Sequence, residues 1–369
     1  MQRNDNILLL MAFVIVFVVL GHKGGIGLFS DWFPYYSFHM PLFMFIAGYL
    51  FKENYVDSIK DYTIKKFRHL MIPYYMWNLF YGLLVVALKY FDIVKFGAKF
   101  DAYNFFVMPF VHGHQFSLNV AMWFVPQLFA IQVIYVLFRK VKKEVKVVDN
   151  EWFWLLCFFI LGLSSVWLVN HGYVTNHWRR FLFRTLFFLP FFHFGYLYRI
   201  KLEAKDKLNS LIYFAIIFVI QFALLKGYGK ITFNAITNYY PSKIILPYIT
   251  SMTGIMFWLR ISKILAPVLA KSKYIQYLGQ NTWTVMAHHQ FIFFLINFAF
   301  FSLLPYINLR GFSIEKFQTN AWYGYHPAKW QFLIFYSAAG IIVPLLGKYL
   351  YDRYIYNKND KSLLDSSAE

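Results

Sequence analysis

The apolar stretches of this chain are too long and too numerous for a soluble core. A helix crossing a bilayer needs about 20 predominantly apolar residues, since each residue rises about 1.5 Å through about 30 Å of hydrocarbon. Windows of that length mark about ten segments along the 369 residues. The first half gives Ile7–Gly21, Pro34–Phe51, Leu70–Tyr90, Leu118–Phe138 and Trp152–Asn170. The second half gives Phe181–Tyr198, Ser210–Lys226, Ile244–Leu259, Thr282–Leu304 and Lys329–Leu350. The expected fold class is all-α, a polytopic membrane bundle of about ten transmembrane helices over residues 1–350, with a short cytoplasmic tail over 351–369. The first run ends in Gly21-His22-Lys23 without a small-residue cleavage site, so it is expected to be a retained helix and not a leader.

A formal charge of +19 raises nucleic acid as a partner. The basic residues, however, sit beside the spans and not on one soluble face, so the expected partner is the lipid bilayer and no nucleic acid is expected. Lys and Arg concentrate in alternate connections, at 52–68, 139–146, 199–207 and 260–273, and again near the C-terminus. The positive-inside bias places these connections and both termini in the cytoplasm. Aromatic residues make up 23% of the chain, and Trp and Tyr suit the headgroup level at many membrane entries and exits. A lone cysteine, Cys157, allows no intramolecular disulfide.

Ionisable residues within spans are costly and therefore point to function. None of the 17 Asp and Glu falls in an expected membrane interior, which disfavours a proton-coupled carrier. Arg184, His193 and the pair His288–His289 do fall there, with His289 near mid-bilayer. His22 ends the first span and His39 opens the second, so both imidazoles are expected to face one outer vestibule. An imidazole titrates near neutral pH and suits a general base for a hydroxyl. A histidine at a span end equally fits an interfacial side chain bonded to a carbonyl. Adjacent His288 and His289 point about 100° apart, so only one of them faces a given site. The outer-loop histidines lack the Cys or carboxylate spacing of a zinc centre, and no metal is expected. Lys65, Lys66 and Arg68 fit membrane anchoring and phosphate binding alike.

Six ordered segments carry a family resemblance. SFHMPLFMFIAGYLF (Ser37–Phe51) resembles the hallmark of the membrane acyltransferase-3 family, where Phe-His-Met-Pro-Leu-Phe opens the second span and a small-Gly-Tyr triplet ends it. GHKGG after the first span resembles the family's Gly-His ending. KFRHLMIPYYMWN (Lys66–Asn78) resembles its Arg-x-Leu-x-Ile-Pro-Tyr entry, and MWFVPQLF (Met122–Phe129) its Trp-Phe-Leu-x-x-Leu-Phe segment. FRTLFFLPFFHFGYLYR (Phe183–Arg199) is similar to a segment of the polysaccharide-modifying branch, which includes fucose 4-O-acetylase-like and capsular polysaccharide acetyltransferases. LGQNTWTVMAHHQF (Leu278–Phe291) is similar to a Leu-Gly-x-Asn-Ser/Thr segment ending in His.

The resemblance implies an O-acyltransferase of a bacterial cell membrane. It implies acetyl-coenzyme A as donor substrate, with no permanently bound cofactor, and a polysaccharide or lipid-linked sugar as acceptor. On that reading His22 and His39 are the catalytic candidates, with His22 taking the hydroxyl proton. Arg68, Lys65 and Lys66 would hold coenzyme A phosphates, since guanidinium and ammonium groups pair with phosphate. Arg184, His289, Asn281 and Trp123 would shape the acceptor site, the oxyanion or the acyl path. One departure stands out: Met11 occupies the position, eleven residues before His22, where the family carries a basic residue. Two other readings stay open, a non-enzymatic carrier of a polysaccharide intermediate and a catalytically silent synthase subunit.

Overall fold

The computed structural model describes residues 4–356 except 25–26, 28, 146–147, 175 and 327–329. Helices dominate the described chain, and its strand pairing is a single bridge between Asn234 and Tyr239. The bundle is carried by α1 (Asp5–Gly21), α2 (Tyr35–Tyr49), α3 (Glu53–Tyr90), α4 (Phe124–Val145) and α5 (Glu151–Asn170). It continues with α6 (His177–Leu197), α7 (Ser210–Tyr228), α8 (Leu246–Leu269), α9 (Thr282–Leu303) and α10 (Trp330–Tyr351).

Each expected segment falls on one of these helices, but length and composition qualify eight of them, α3 to α10, as candidate spans. The exceptions have a physical reason. α1 and α2 are only 17 and 15 residues long and lie inside the bundle, where a helix need not match the hydrocarbon thickness. α1 is apolar on nearly every face, with Leu9, Leu10, Val14, Ile15 and Val19 fully buried, as a helix surrounded by others must be. Asn4 caps it, its side chain accepting from the Ile7 amide at 3.2 Å. Residues 357–369 of the expected tail, and Lys329, lie outside the described residues.

α2 and α6 form the tightest crossing. Both carry the pattern Phe-x-x-Gly-Tyr, as Phe45–Tyr49 and Phe192–Tyr196. A Cβ on Gly48 would lie 1.8 Å from the Phe192 carbonyl oxygen, and one on Gly195 would lie 1.9 Å from that of Phe45. Only glycine permits this approach, which replaces side-chain contact with backbone contact as in other small-residue membrane crossings. The tyrosines repeat the reciprocity. Tyr49 Oη donates to Glu203 Oε2 at 2.7 Å, and Tyr196 Oη donates to Glu53 Oε2 at 2.9 Å, so each helix ties the chain that follows the other.

The bundle has two unlike ends. At one, the basic end, Arg139 bridges Glu53 (2.9 Å) and Glu151 (2.8 Å), while Lys142 bridges Glu151 (2.7 Å) and Asp149 (2.8 Å). Arg260 and Lys263 share Asp206 there. Asp206 loses solvation by partial burial, yet the Lys263 and Tyr198 hydrogen bonds hold its carboxyl below the usual range. Both ends of the described chain lie on this side: Asn4 bonds Tyr49 at 2.5 Å, and Tyr349 meets Tyr277 of the short helix Lys273–Gln280, whose Gly279 abuts Leu8. At the opposite end, the histidine end, His22 and His39 meet.

Candidate active site

His22 follows the last turn of α1, with its amide bonded to the Val18 carbonyl at 3.2 Å. The first turns of α2 bring His39 alongside, its Nδ1 bonded to the Tyr35 carbonyl. Both line a cavity of about 400 Å³. The expectation of one shared vestibule for these two imidazoles matches this geometry. Tyr36, Met40 and Phe43 also line the cavity, and they extend His39 into a stripe spaced by three, four and seven residues along one face of α2. His114, Trp123, Trp322 and the turn at 233–237 complete the wall.

A second cavity, of about 210 Å³, opens among residues closer to the basic end; counted from the histidine end it is the deeper chamber and the first cavity the outer one. Met11, Ile46, Ala47, Tyr62, Lys66, Leu128, Thr282 and Trp283 line it. Phe43 and Met286 belong to both walls, so the two chambers stand back to back across these side chains. Met11 and His22 lie eleven residues apart along α1, so these two side chains stand roughly 16 Å apart on the walls of the two chambers. Met11 therefore stands in the deeper chamber, and its thioether gives that wall an apolar surface where a cation would have carried charge.

His289 of α9 is fully buried and reaches the cavity only through His22: His22 Nδ1 and His289 Nε2 lie 2.8 Å apart. The other ring nitrogen of His289 bonds the Val285 carbonyl at 2.8 Å. His288, one residue earlier, points elsewhere, to Tyr81 Oη at 2.7 Å and the Trp77 ring at 4.2 Å, as helical spacing requires. Trp322 packs edge-on to His22, with ring centres 5.0 Å apart, and to His114 at 5.9 Å. Burial pushes His114, a loop residue, down to about 3, so it is neutral at physiological pH. Among the described residues, no three His, Cys, Asp or Glu converge as a metal site.

The remaining expected site residues separate into two kinds. Arg184 does not line either cavity. Its fully buried guanidinium bonds Gln127 Oε1 (2.7 Å), the Phe110 carbonyl (2.9 Å) and the Ile236 carbonyl (3.4 Å), and lies 5.1 Å from the Trp123 ring centre. It thus holds two walls of the outer chamber, Trp123 and the 233–237 turn, without facing the chamber. Asn281 spends its amide on the Tyr277 carbonyl at 2.9 Å, between the short helix and α9. Lys66 lines the deeper chamber, its ammonium 5.4 Å from the Tyr62 ring, whereas Lys65 and Arg68 lie exposed on the surface of α3 nearby. His193 belongs to the basic end, bonded to Tyr135 Oη at 2.8 Å and the Glu151 carbonyl at 2.9 Å.

Sequence reasoning passed over Tyr36, Phe43, Met286 and Trp322, and placed His114 only among the outer-loop histidines. The α2 stripe was readable as a face shared with His39, and Met286 lies three residues before His289. His114 and Trp322 come from remote loops and carry no local signal.

A family model described as an acyltransferase domain matches residues 5–352, nearly the whole chain. No curated protein and no solved structure matches it.

Proposed function

Since the chain belongs to the acyltransferase-3 family of membrane acyltransferases, we propose that it moves an acetyl group from acetyl-coenzyme A to a sugar hydroxyl. The acceptor is a cell-surface polysaccharide or its lipid-linked precursor, and the basic end faces the cytoplasm of a bacterial cell. The observation that carries this reading is the pair of chambers meeting at Phe43 and Met286. A charged, phosphate-bearing donor and a surface sugar approach from opposite sides of a bilayer, so an enzyme joining them needs two mouths and one meeting point.

On this reading the nucleotide part of the donor stays at the basic end, near Lys65 and Arg68, where its phosphates find cations. Its flexible arm passes Lys66 and Tyr62 into the deeper chamber, whose apolar wall includes Met11. The sugar enters the outer chamber against the rings of Trp322, Trp123 and Tyr36, whose apolar faces suit a carbohydrate ring. His22 accepts the proton of the acceptor hydroxyl as that oxygen attacks the thioester carbonyl. The carbon–sulfur bond then breaks, and the thiolate takes up the proton from His22 to leave as coenzyme A thiol.

The test is acetyl transfer by the purified protein in lipid nanodiscs, using radiolabelled acetyl-coenzyme A and surface polysaccharide extracted from cells lacking the protein. Label appearing in the polysaccharide, with a matching release of thiol, is the expected result. Movement of sugar across a sealed vesicle without acetyl transfer would instead establish a carrier.

A further inference from the structure

We infer that His289 is a positioning residue that fixes the tautomer of His22 and leaves the His22 Nε2 lone pair for the acceptor hydroxyl. The inference deepens the acyl-transfer reading and rests on it for its chemical use, though the tautomer itself does not.

The argument is an inventory of donors and acceptors. The Val285 carbonyl can only accept, so His289 Nδ1, 2.8 Å away, carries the hydrogen of that bond. A neutral imidazole has one N–H, so His289 Nε2 then holds a lone pair. His22 Nδ1, 2.8 Å from that lone pair, must donate to it. His22 is in turn left with its own lone pair on Nε2, the nitrogen away from His289, on a ring that lines the outer chamber. The chain of three groups therefore runs Val285 carbonyl, His289, His22, with each hydrogen bond dictating the next.

Neutrality of the pair fits its surroundings. Among the described histidines, His193 is the one within ion-pair reach of a carboxylate, 3.7 Å from Glu151 at the far end of the bundle. Next to His22 along the chain is a cation, Lys23, whose ammonium lies 4.5 Å from the Phe293 ring centre and 4.8 Å from that of Tyr336.

His289 also has work to do once His22 is protonated. When His22 Nε2 takes the hydroxyl proton, its Nδ1–H still points at His289 Nε2, so the positive charge is shared across a hydrogen bond inside the protein. Return of the proton from Nε2 to the departing thiolate restores the starting tautomers, so the hydroxyl's proton ends on the thiol and no other protein group changes its proton count.

The experiment is nitrogen NMR of the full-length protein in nanodiscs with 15N-labelled histidine, assigned by His22→Gln. The expected result is a protonated-type signal for His22 Nδ1 and an unprotonated-type signal for its Nε2. In His289→Leu the pattern should reverse to the Nε2–H tautomer that a free histidine side chain favours. In His289→Gln, whose side-chain carbonyl can accept from His22 Nδ1, it should persist. An unprotonated His22 Nδ1 in the unaltered protein overturns the inference by itself, as does an unchanged tautomer in a folded Leu variant. Kinetics supply the second readout: kcat down about 10- to 100-fold in the Leu variant, KM for acetyl-coenzyme A unchanged, and most of the loss recovered in the Gln variant. Equal losses in both variants would overturn the positioning role. Correct NMR patterns with no acetyl transfer in any form would instead sink the acyl-transfer reading and leave the tautomer assignment standing.

Discussion

The basic end and the histidine end solve the problem of polar groups in a membrane bundle in opposite ways. At the basic end Arg139 and Lys142 pair with Glu53, Glu151 and Asp149 at 2.7–2.9 Å, and Arg260 and Lys263 share Asp206 nearby. Such clusters pin helices to one another and leave little for a ligand to bind. At the histidine end the polar side chains around a void of about 400 Å³ are largely rings, those of His22, His39, His114, Tyr36, Trp123 and Trp322. Their hydrogen bonds run inward, to backbone carbonyls and to each other, so the ring faces and remaining nitrogens are turned to whatever enters. Compensated charge builds the frame here, and orientable ring polarity lines the candidate site.

Substitutions at the two ends should therefore separate activity from stability. The largest effect expected is from His22→Ala, with acetyl transfer down at least about 100-fold while the melting temperature in detergent stays within a few degrees. Unaltered O-acetyl signals in the NMR spectrum of surface polysaccharide from cells carrying this variant would remove His22 from the mechanism. Arg139→Ala reverses the pattern. It leaves Glu151, which is buried, with Lys142 as its remaining ion-pair partner, and should cost about 1–3 kcal/mol of stability, read as loss of monodisperse protein on extraction. If such protein extracts normally and melts as before, the basic end is not a structural clamp.

Gly48→Ala tests the shared frame between the ends. Its new methyl has to push Phe192 away, so a loss of about 1–3 kcal/mol is expected, with activity per folded molecule changed less than in His22→Ala. A melting curve that does not move would mean α2 and α6 part without cost.

The smallest effect expected is at Lys23, a cation beside the histidine end. Burial holds it at about 8, below its ordinary 10.5, so the folded state binds fewer protons between those values than the unfolded chain. Stability should rise as pH climbs through that window, and the penalty is fully present below about 8. Lys23→Met should accordingly melt higher near pH 7, with the advantage fading by pH 10.5. An advantage that is constant with pH would assign the gain to packing instead of charge.

Much of this molecule was legible from local pattern. Apolar length marked the helices, because a bilayer imposes the same constraint on every span whatever its neighbours. The two Phe-x-x-Gly-Tyr segments are visible in the sequence, although nothing in either says that they face each other. The motif at Ser37–Phe51 and the histidine that follows α1 pointed to the family whose model covers residues 5–352. Arg184 illustrates the limit. A lone cation in a span reads as a ligand group, yet its hydrogen bonds all run to Gln127 and two backbone carbonyls, partners 52 to 74 residues away along the chain.

The sequence by itself determined that the chain is an all-helical membrane bundle of the acyltransferase-3 family, with histidines gathered toward one face and cations toward the other. Hydropathy, charge bias and short motifs are properties of contiguous residues, and contiguous residues suffice to read them. Only the tertiary structure decided that His289 meets His22 across 267 positions, that Trp322 packs against the same ring, and that Phe43 and Met286 stand between two chambers. Those are distances between helices, set by how glycines, buried ion pairs and aromatic faces close the bundle. No local pattern encodes them.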